Sequence, residues 1–424
     1  MTRVLARFLV SVRGTGSAEV LKALLQAAMF VVVGRALGAA GTGAYAAVLA
    51  IVTLLAPFAG LSCGHWLLRT VRRAHVDVAP LLATAIVVTV ATGVPAAVLA
   101  AVLSHVLLQS PLVVSAMFAV AELLGTSMTT ACGLLALGRA PDRRYAVIAV
   151  APFATKFVAA CVLVALPDPT VGRWAGLYLT AAIVAVVVAL VLVRPTLRRF
   201  APLGRRDARW CLMVSLTQSS QSTVNDLDKV FVASTGDLHA AGGYAGAYKL
   251  VSLSYFLARA VQSTLYPQFF SAGEQGYAAV LAVLRRGLRF ALYYGGLCAV
   301  AGLLLAPLTP TLLGPSFADA STYVRWLSPL LPLKFAQWFV ADALTGLDRQ
   351  GLRGALQAAS AVLTAALLAV LVPAHGVAGA VVATYVAEGF YLLGLAAVLV
   401  RLGREDRAAA GGPSPIRSRD ELPL

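Results

Sequence analysis

Two short patterns in the chain have the spacing of catalytic sites. Asp226-Leu227-Asp228 resembles the D-x-D metal site of glycosyltransferases, and Gly60-Leu61-Ser62-Cys63-Gly64 matches G-x-S-x-G, the turn that presents a nucleophilic serine. Each chemistry needs surroundings that are missing. The serine turn requires a strand before it and His and acid partners, whereas this copy is embedded in an apolar run expected to be a membrane helix. Small residues easing helix contact explain it better. No nucleotide-binding domain surrounds the D-x-D, and no G-x-x-x-x-G-K-[ST] occurs to suggest ATP hydrolysis. Cys63, Cys132, Cys161, Cys211 and Cys298 are scattered through apolar stretches without C-x-x-C or His/Cys spacing. They read as small buried hydrophobes, so no metal and no cofactor is expected.

A different kind of chemistry lies in charged and polar residues set inside apolar segments. Glu19, Lys22 and Gln26 step along one helix face, and so do Gln218, Gln221 and Asn225. Further stripes run through Tyr248, Ser252, Tyr255, Arg259, Gln262 and Tyr266; through Ser115, Glu122, Thr126 and Thr129; and through Thr384, Glu388 and Tyr391. Lys156 stands alone in its segment, and Lys334, Gln337 and Asp342 share another. An ionisable group at the centre of a bilayer costs about 2.5–3.5 kcal/mol, so each should face protein or water. Lys229 and Lys249 fall near a segment end, where long side chains can snorkel. Arg259 lies deeper, and Glu122, Lys156 and Glu388 are central, leaving interhelical salt bridges and a shared aqueous cavity both open.

The elements that position these groups follow from composition. Of 424 residues 60% are hydrophobic and 12% charged, at a mean hydropathy of +0.84, far from the roughly 25% charged residues of a soluble domain. Lipid must be the solvent for most of the chain. A bilayer core of about 30 Å takes about 20 apolar residues per helix. The segments so marked are about twelve, near 17–34, 44–65, 79–103, 111–137, 145–166, 174–193, 210–233, 243–268, 288–312, 324–346, 354–372 and 377–400. The net charge of +16 would suit nucleic acid, but its distribution excludes that reading. Arginines crowd one alternate set of connections: Arg69, Arg72 and Arg73; Arg139, Arg143 and Arg144; Arg194 through Arg209; Arg285, Arg286 and Arg289; Arg349 and Arg353. The other set holds Arg35 and Arg173. That is the positive-inside pattern, and it puts both termini in the cytoplasm. The basic, apolar N-terminus imitates a secretory signal, but so many spans follow that a retained first helix is expected. The end from 401 to 424 reads as a disordered cytoplasmic tail. No connection is long enough for a soluble catalytic domain.

The chain also repeats. The offset that brings Gly43-Ala44-Tyr45 onto Gly242-Gly243-Tyr244 also brings Glu19, Lys22 and Gln26 onto Gln218, Gln221 and Asn225. Six spans per half, each half entering from the same side, predict an all-α parallel pseudo-repeat: one bundle over 1–200, a second over 201–400, and the tail. Polar stripes on many helices imply a cavity between the bundles, which is transporter architecture.

Leu37-Gly38-Ala39-Ala40-Gly41-Thr42-Gly43-Ala44-Tyr45 resembles a landmark of polysaccharide-biosynthesis flippases, the oligosaccharide-lipid translocases of the multidrug/oligosaccharidyl-lipid/polysaccharide (MOP) exporter superfamily. Asp228-Lys229 with Ala241-Gly242-Gly243-Tyr244-Ala245-Gly246-Ala247-Tyr248-Lys249, then Tyr266-Pro267, Gly346-Leu347-Asp348-Arg349 and His375-Gly376-Val377-Ala378-Gly379-Ala380, are similar to later landmarks in the same order. The resemblance implies a MATE-like fold in a bacterial cytoplasmic membrane, and no enzymatic activity. It implies movement of a polyprenyl-diphosphate-linked oligosaccharide from inner to outer leaflet by alternating access, with membrane lipid and other polysaccharide-assembly proteins as partners. Members are similar in having a cationic cavity. Here Lys22, Lys156 and Arg259 are candidates for that charge, an arginine fork and lysine point charges both suiting phosphate. Tyr248 and Tyr255 are candidates for sugar contacts, Gln221 and Asn225 for polar ones, and Glu122, Asp226 and Glu388 for ion or proton coupling.

Two other readings compete. A cation-coupled multidrug exporter of the same superfamily should have an acidic cavity, against which Lys22, Lys156 and Arg259 weigh. A membrane-embedded polysaccharide polymerase or ligase should have a substantial external loop, and none is visible.

Overall fold

The computed structural model describes residues 17–73, 78–139, 143–194, 200–201 and 203–411. All regular structure among them is helical. The first half is built from α1 (Ser17–Leu55), α2 (Cys63–Arg73), α3 (Val78–Leu108), α4 (Leu112–Val120), α5 (Ser127–Arg139), α6 (Arg143–Ala165) and α7 (Val171–Val193). The second half comprises α8 (Arg205–Ser234), α9 (Leu238–Ser252), α10 (Tyr255–Gln275), α11 (Tyr277–Leu305), α12 (Thr309–Leu313), α13 (Ala320–Leu327), α14 (Leu330–Gly346) and α15 (Gln350–Gly411). Two of these hold two crossings each. α1 turns at Gly38, where φ of 67° with an extended ψ is open to glycine but strained for other residues, and α15 turns at Gly376. The expected spans are thus all helical, and together they make a polytopic membrane protein of two helical bundles. Helix α15 runs on to Gly411, into the expected tail; the remainder of that tail lies outside the described residues.

Among the described residues, seven stretches are long and apolar enough to cross a bilayer, and they cover every expected span except the seventh, eighth and tenth. Those three, in α8, α9–α10 and α13–α14, carry the densest polar stripes. Their polar faces are turned inward: Asp228, Lys229, Lys334, Gln337 and Asp342 are all buried. The opposite pattern marks the outside. Val94, Val98, Val187, Val191, Leu297, Val300 and Leu304 are exposed, an apolar girdle that suits acyl chains.

Within each half, aromatic and aliphatic side chains form a separate core. Phe118, Trp174, Tyr178, Tyr45 and Ile51 lie in one; Phe269, Phe335, Phe339, Tyr244 and Leu344 lie in the other. Cys63, Cys132 and Cys211 sit in a third cluster toward the arginine-rich end, with Trp66 and Leu67. They are free and buried as expected, whereas Cys161 is exposed on the surface of α6 and Cys298 is half-buried, since their helix faces turn outward.

The halves meet differently at the two ends. At the end away from the arginine-rich connections, here the distal face, Phe30, Ala39, Leu313, Phe317 and Ala320 form a small cluster across the halves. Arg35 caps it, donating from Nε to the Leu312 carbonyl at 2.9 Å and from Nη2 to the Thr311 carbonyl at 2.6 Å. Ala39 N donates to Ser316 Oγ at 3.1 Å. Beneath these, Gly43 and Gly242 pack so closely that a Cβ on Gly43 would enter the Leu238 carbonyl, and one on Gly242 the Ala39 carbonyl. Without a large side chain at either site, van der Waals contact joins the backbones, the packing that lipid solvent favours.

At the basic face, α1 gives way to an irregular segment at 56–62. Leu61 and Ser62 have φ of 45° and 50°, an uncommon conformation for residues other than glycine. The G-x-S-x-G stretch therefore lies at a break between helices, not inside one as expected. Freed backbone groups are taken up by neighbours: Ser219 donates to the Leu54 carbonyl at 2.8 Å, Ser215 to the Pro57 carbonyl at 2.7 Å, and Gly60 N to Thr92 Oγ1 at 2.8 Å. Ser62 Oγ lies 3.0 Å from Ser215 Oγ, and neither a histidine nor an acid is its partner among the described residues. The serine is a helix-contact residue. Below it, Arg69 pairs with Asp207 and stacks 4.3 Å over the Trp210 ring.

Candidate substrate cavity

Three adjoining hollows lie between the halves or just inside the second. The largest, about 710 Å³, is walled by both halves of α1, by the α4–α5 helix, α6 and α7, and closed on the far side by α8 and α9. Its rim includes Glu19, Lys22, Leu134 and Tyr145, all near the basic end of their helices. It therefore opens toward the basic face, while the distal seam lies above it. A second hollow of about 220 Å³ lies within the second half, among α8, α9, α10, α14 and α15. The third, about 560 Å³, runs along the break at 56–62 between α5 and α8. Glu122 and Asp226 line the first and third; Gln221, Asn225 and Arg259 line the second and third; Tyr248 lines the first and second. The three form one branched polar interior centred on residues 221–229 of α8.

Local structure places the charges. Glu122 sits on a π-helical turn, Ala121–Thr126, that interrupts the α4–α5 helix; such wide turns recur at functional sites. Glu122 accepts hydrogen bonds from Lys156 Nζ at 2.5 Å and from the Tyr178 hydroxyl. The Lys156 ammonium also lies 4.3 Å from the Tyr178 ring. Behind this pair, Tyr45, Phe118, Trp174 and Tyr178 meet at centroid distances of 5.3–6.3 Å, mostly edge to face. Lys156 and Glu122 are thus an ion pair on the cavity wall, fixed by an aromatic box.

On α8, Lys229 reaches Asp226 Oδ1 at 2.7 Å and Asp228 Oδ1 at 3.6 Å. Tyr244 donates to Asp228 Oδ2 at 2.7 Å, and Thr53 to Asp226 Oδ2 at 3.4 Å. The two aspartates of D-x-D are therefore occupied by one lysine and a tyrosine. Among the described residues no group of three His, Cys, Asp or Glu side chains is placed to hold a metal.

The smallest hollow is organised by Lys334. Its ammonium lies 2.9 Å from Glu388 Oε1, and it donates to Asn225 Oδ1 at 2.9 Å and to the Tyr248 hydroxyl at 2.7 Å. Lys334 and Glu388 are almost fully buried, at 4% and 5% side-chain exposure, so neither touches bulk solvent here. Tyr248 is enclosed by charge, its ring 4.3 Å from Lys229 and 5.3 Å from Lys334. Tyr255 packs edge-on against Phe335 and Trp338. A further cluster nearer the basic face joins Asp342 to Gln262 at 2.8 Å and to Arg353 at 3.3 Å.

Every carboxylate of this interior thus has a cationic partner. The cations do not all have an acid. Lys22 is paired with Glu19, 2.6 Å away on its own helix. Arg259 has no acid and no hydrogen-bond partner among the described residues; it stands 5.3 Å over the Trp338 ring at the junction of the second and third hollows. Lys249, half-buried on the wall of the largest hollow, likewise forms no ion pair, and Asp226 attracts it only from beyond ion-pair distance.

All ten residues singled out from the sequence line this interior. The structure brings Lys156 to Glu122, and Tyr248 and Asn225 to Lys334, whereas Lys22 and Arg259 lie in different hollows. Sequence reasoning missed the organising role of Lys334, because its partners come from α8, α9 and α15. It also expected Lys229 and Lys249 to snorkel. The contrary placement follows from the distal seam, which buries the first turns of α9 and turns Lys249 into the hollow. Its spacing from Ala245 and Ser252, which line the same wall, is the signal that was available.

Residues 12–272 match the family model described as polysaccharide biosynthesis protein. The chain belongs to that family. No curated protein matches it in sequence. Its fold is that of MOP-superfamily transporters. An inward-facing MATE-family multidrug transporter of the MOP superfamily superposes with a TM-score of 0.67 at 15% identity, over 91% of this chain and 99% of that one. The MATE multidrug transporter DinF-BH, solved as a complex, gives 0.63 at 12% identity over 90% and 92%. The lipid II flippase MurJ in an inward closed conformation gives 0.62 at 10% identity over 90% and 86%. This family member is accordingly a multi-pass membrane protein with a transporter fold.

Proposed function

We propose that the protein is a flippase moving a polyprenyl-diphosphate-linked oligosaccharide from the inner to the outer leaflet of a bacterial cytoplasmic membrane. The observation that carries this reading is the pair of cations without acids, Lys249 and Arg259, in an interior whose carboxylates are already neutralised. Such a hollow favours an anion. An anionic headgroup supplies the missing charge: Lys249 offers a point contact in the largest hollow and Arg259 a forked one in the adjoining two. Lys22 marks the rim toward the basic face, which the positive-inside rule makes cytoplasmic. The family match supports a polysaccharide precursor as cargo, and the fold of the lipid II flippase accommodates a lipid-linked one.

In this reading Tyr248, Tyr255, Gln221 and Asn225 supply hydroxyl and amide contacts. The pairs Glu122–Lys156, Asp226–Lys229 and Glu388–Lys334 are the exchangeable ion pairs through which an ion or proton couples to movement. Alternating access consists of opening the distal seam as the basic-face mouth closes. An organic cation finds no unpaired carboxylate here, which separates this reading from a multidrug exporter.

Deleting the gene and assaying lipid-linked oligosaccharide by leaflet tests it. Accumulation on the cytoplasmic side, corrected by the wild-type gene and not by Lys249→Ala, is expected. An unchanged leaflet distribution in the deletion strain would overturn it.

A further inference from the structure

The two large hollows differ in chemistry. The wall of the largest carries Met29, Phe30, Leu49, Ile148, Phe153 and several tyrosines beside its charges. The third hollow, about 560 Å³, is lined by no Leu, Val, Ile, Met, Phe, Tyr or Trp. In a chain that is 60% hydrophobic, a cavity wall so free of large apolar groups is not a gap left by imperfect packing.

Five of its polar groups are also uncommitted. Gln218, Gln221 and Ser222 on α8 face Ser127 and Thr130 on α5 across it, and none of their side chains has a protein hydrogen-bond partner among the described residues. Neighbours on the same helices behave otherwise: Thr129, Thr217 and Thr223 donate to carbonyls of their own helix, and Ser219 to Leu54. Thr53, Ser62, Thr89 and Asn225 on the wall are satisfied by the protein, while these five keep spare donors and acceptors. Its two carboxylates, Glu122 and Asp226, are already bound to lysines.

The ligand class follows by elimination. An acyl chain meets only small Ala, Pro and Gly surfaces set among polar groups, an organic cation no free acid, and an anion only Arg259 at one edge and the His65 imidazole. Neutral hydroxyl-rich groups match the array of amides and hydroxyls. Building on the flippase reading, we propose that this hollow is the glycan subsite. It takes uncharged sugar residues beside the diphosphate, with Arg259 at the boundary between the two and Gln218, Gln221, Ser222, Ser127 and Thr130 as the hydrogen-bonding wall.

The test compares two lipids on the full-length protein in nanodiscs: undecaprenyl diphosphate, and the polyprenyl-diphosphate oligosaccharide pool extracted from the deletion strain. Wild type should bind the glycosylated pool about tenfold more tightly than the bare lipid, from several hydrogen bonds of modest individual strength. In Gln218→Leu/Thr130→Val that preference should fall to about twofold or less, while affinity for the bare lipid, which also reports the fold, stays within about twofold. An equal loss for both lipids, an undiminished preference in the variant, or no preference in wild type would overturn the glycan subsite and mark the hollow as a water-filled vestibule. Failure of wild type to bind either lipid would instead overturn the flippase reading on which it rests.

Discussion

Gly43 and Gly242 meet backbone to backbone on the seam between the two halves, and they are equivalent positions of the internal repeat. The contact is self-complementary. Gly43 abuts the Leu238 carbonyl and Gly242 the Ala39 carbonyl, and Ala39 and Leu238 are themselves repeat-equivalent. That reciprocity is what a two-fold axis imposes on an interface.

A side chain at either glycine should therefore pry open the distal face. Gly43→Leu and Gly242→Leu are expected to increase maleimide labelling of a cysteine at Ala46, a cavity-lining residue, from the distal side in an otherwise cysteine-free protein. The overpacked seam should also lose about 1–3 kcal/mol of stability. Unchanged labelling in both variants would show that this contact is not the closure.

Removing one member of the Glu122–Lys156 pair leaves a lone charge against the Tyr45–Phe118–Trp174–Tyr178 box. Lys156→Met alone should cost about 3–5 kcal/mol, and Glu122→Gln in the same background should restore much of it. Thermal unfolding of the two single variants and the double variant in detergent reads the coupling. Additive losses would mean that the pair contributes nothing as a pair.

Glu388→Gln keeps the shape of the Lys334 network and removes its only carboxylate. If this pair transmits an ion gradient, transport in proteoliposomes should lose its stimulation by an imposed sodium or proton gradient while lipid binding persists. Stimulation of wild-type size under both gradients would remove Glu388 from coupling.

The fold was legible because membrane sequence is constrained. Closed backbone hydrogen bonding fixes span length, so each expected segment is helical over most of its length, although the second breaks at 56–62. The deviations have local causes. Nothing in Gly60-Leu61-Ser62-Cys63-Gly64 announces a break, since the serines of α8 that satisfy the freed carbonyls are remote in sequence. For the cavity, helical spacing found the stripes, but not which charges pair with which. Lys334 and Lys156 look alike in their segments; one has a carboxylate from α15 and the other from the turn at Glu122. Lys249 and Lys229 lie on successive helices near the same face, yet only Lys229 has acids one turn away.

Recognition of an anionic cargo depends most directly on the cations that form no ion pair. Flipping of the extracted polyprenyl-diphosphate oligosaccharide in proteoliposomes should fall about tenfold or more in Lys249→Ala and in Arg259→Ala, and Lys249→Arg should retain most of it, because the loss is of phosphate contacts and not of structure. Wild-type flipping rates in both alanine variants would contradict an anion-binding hollow between the two bundles.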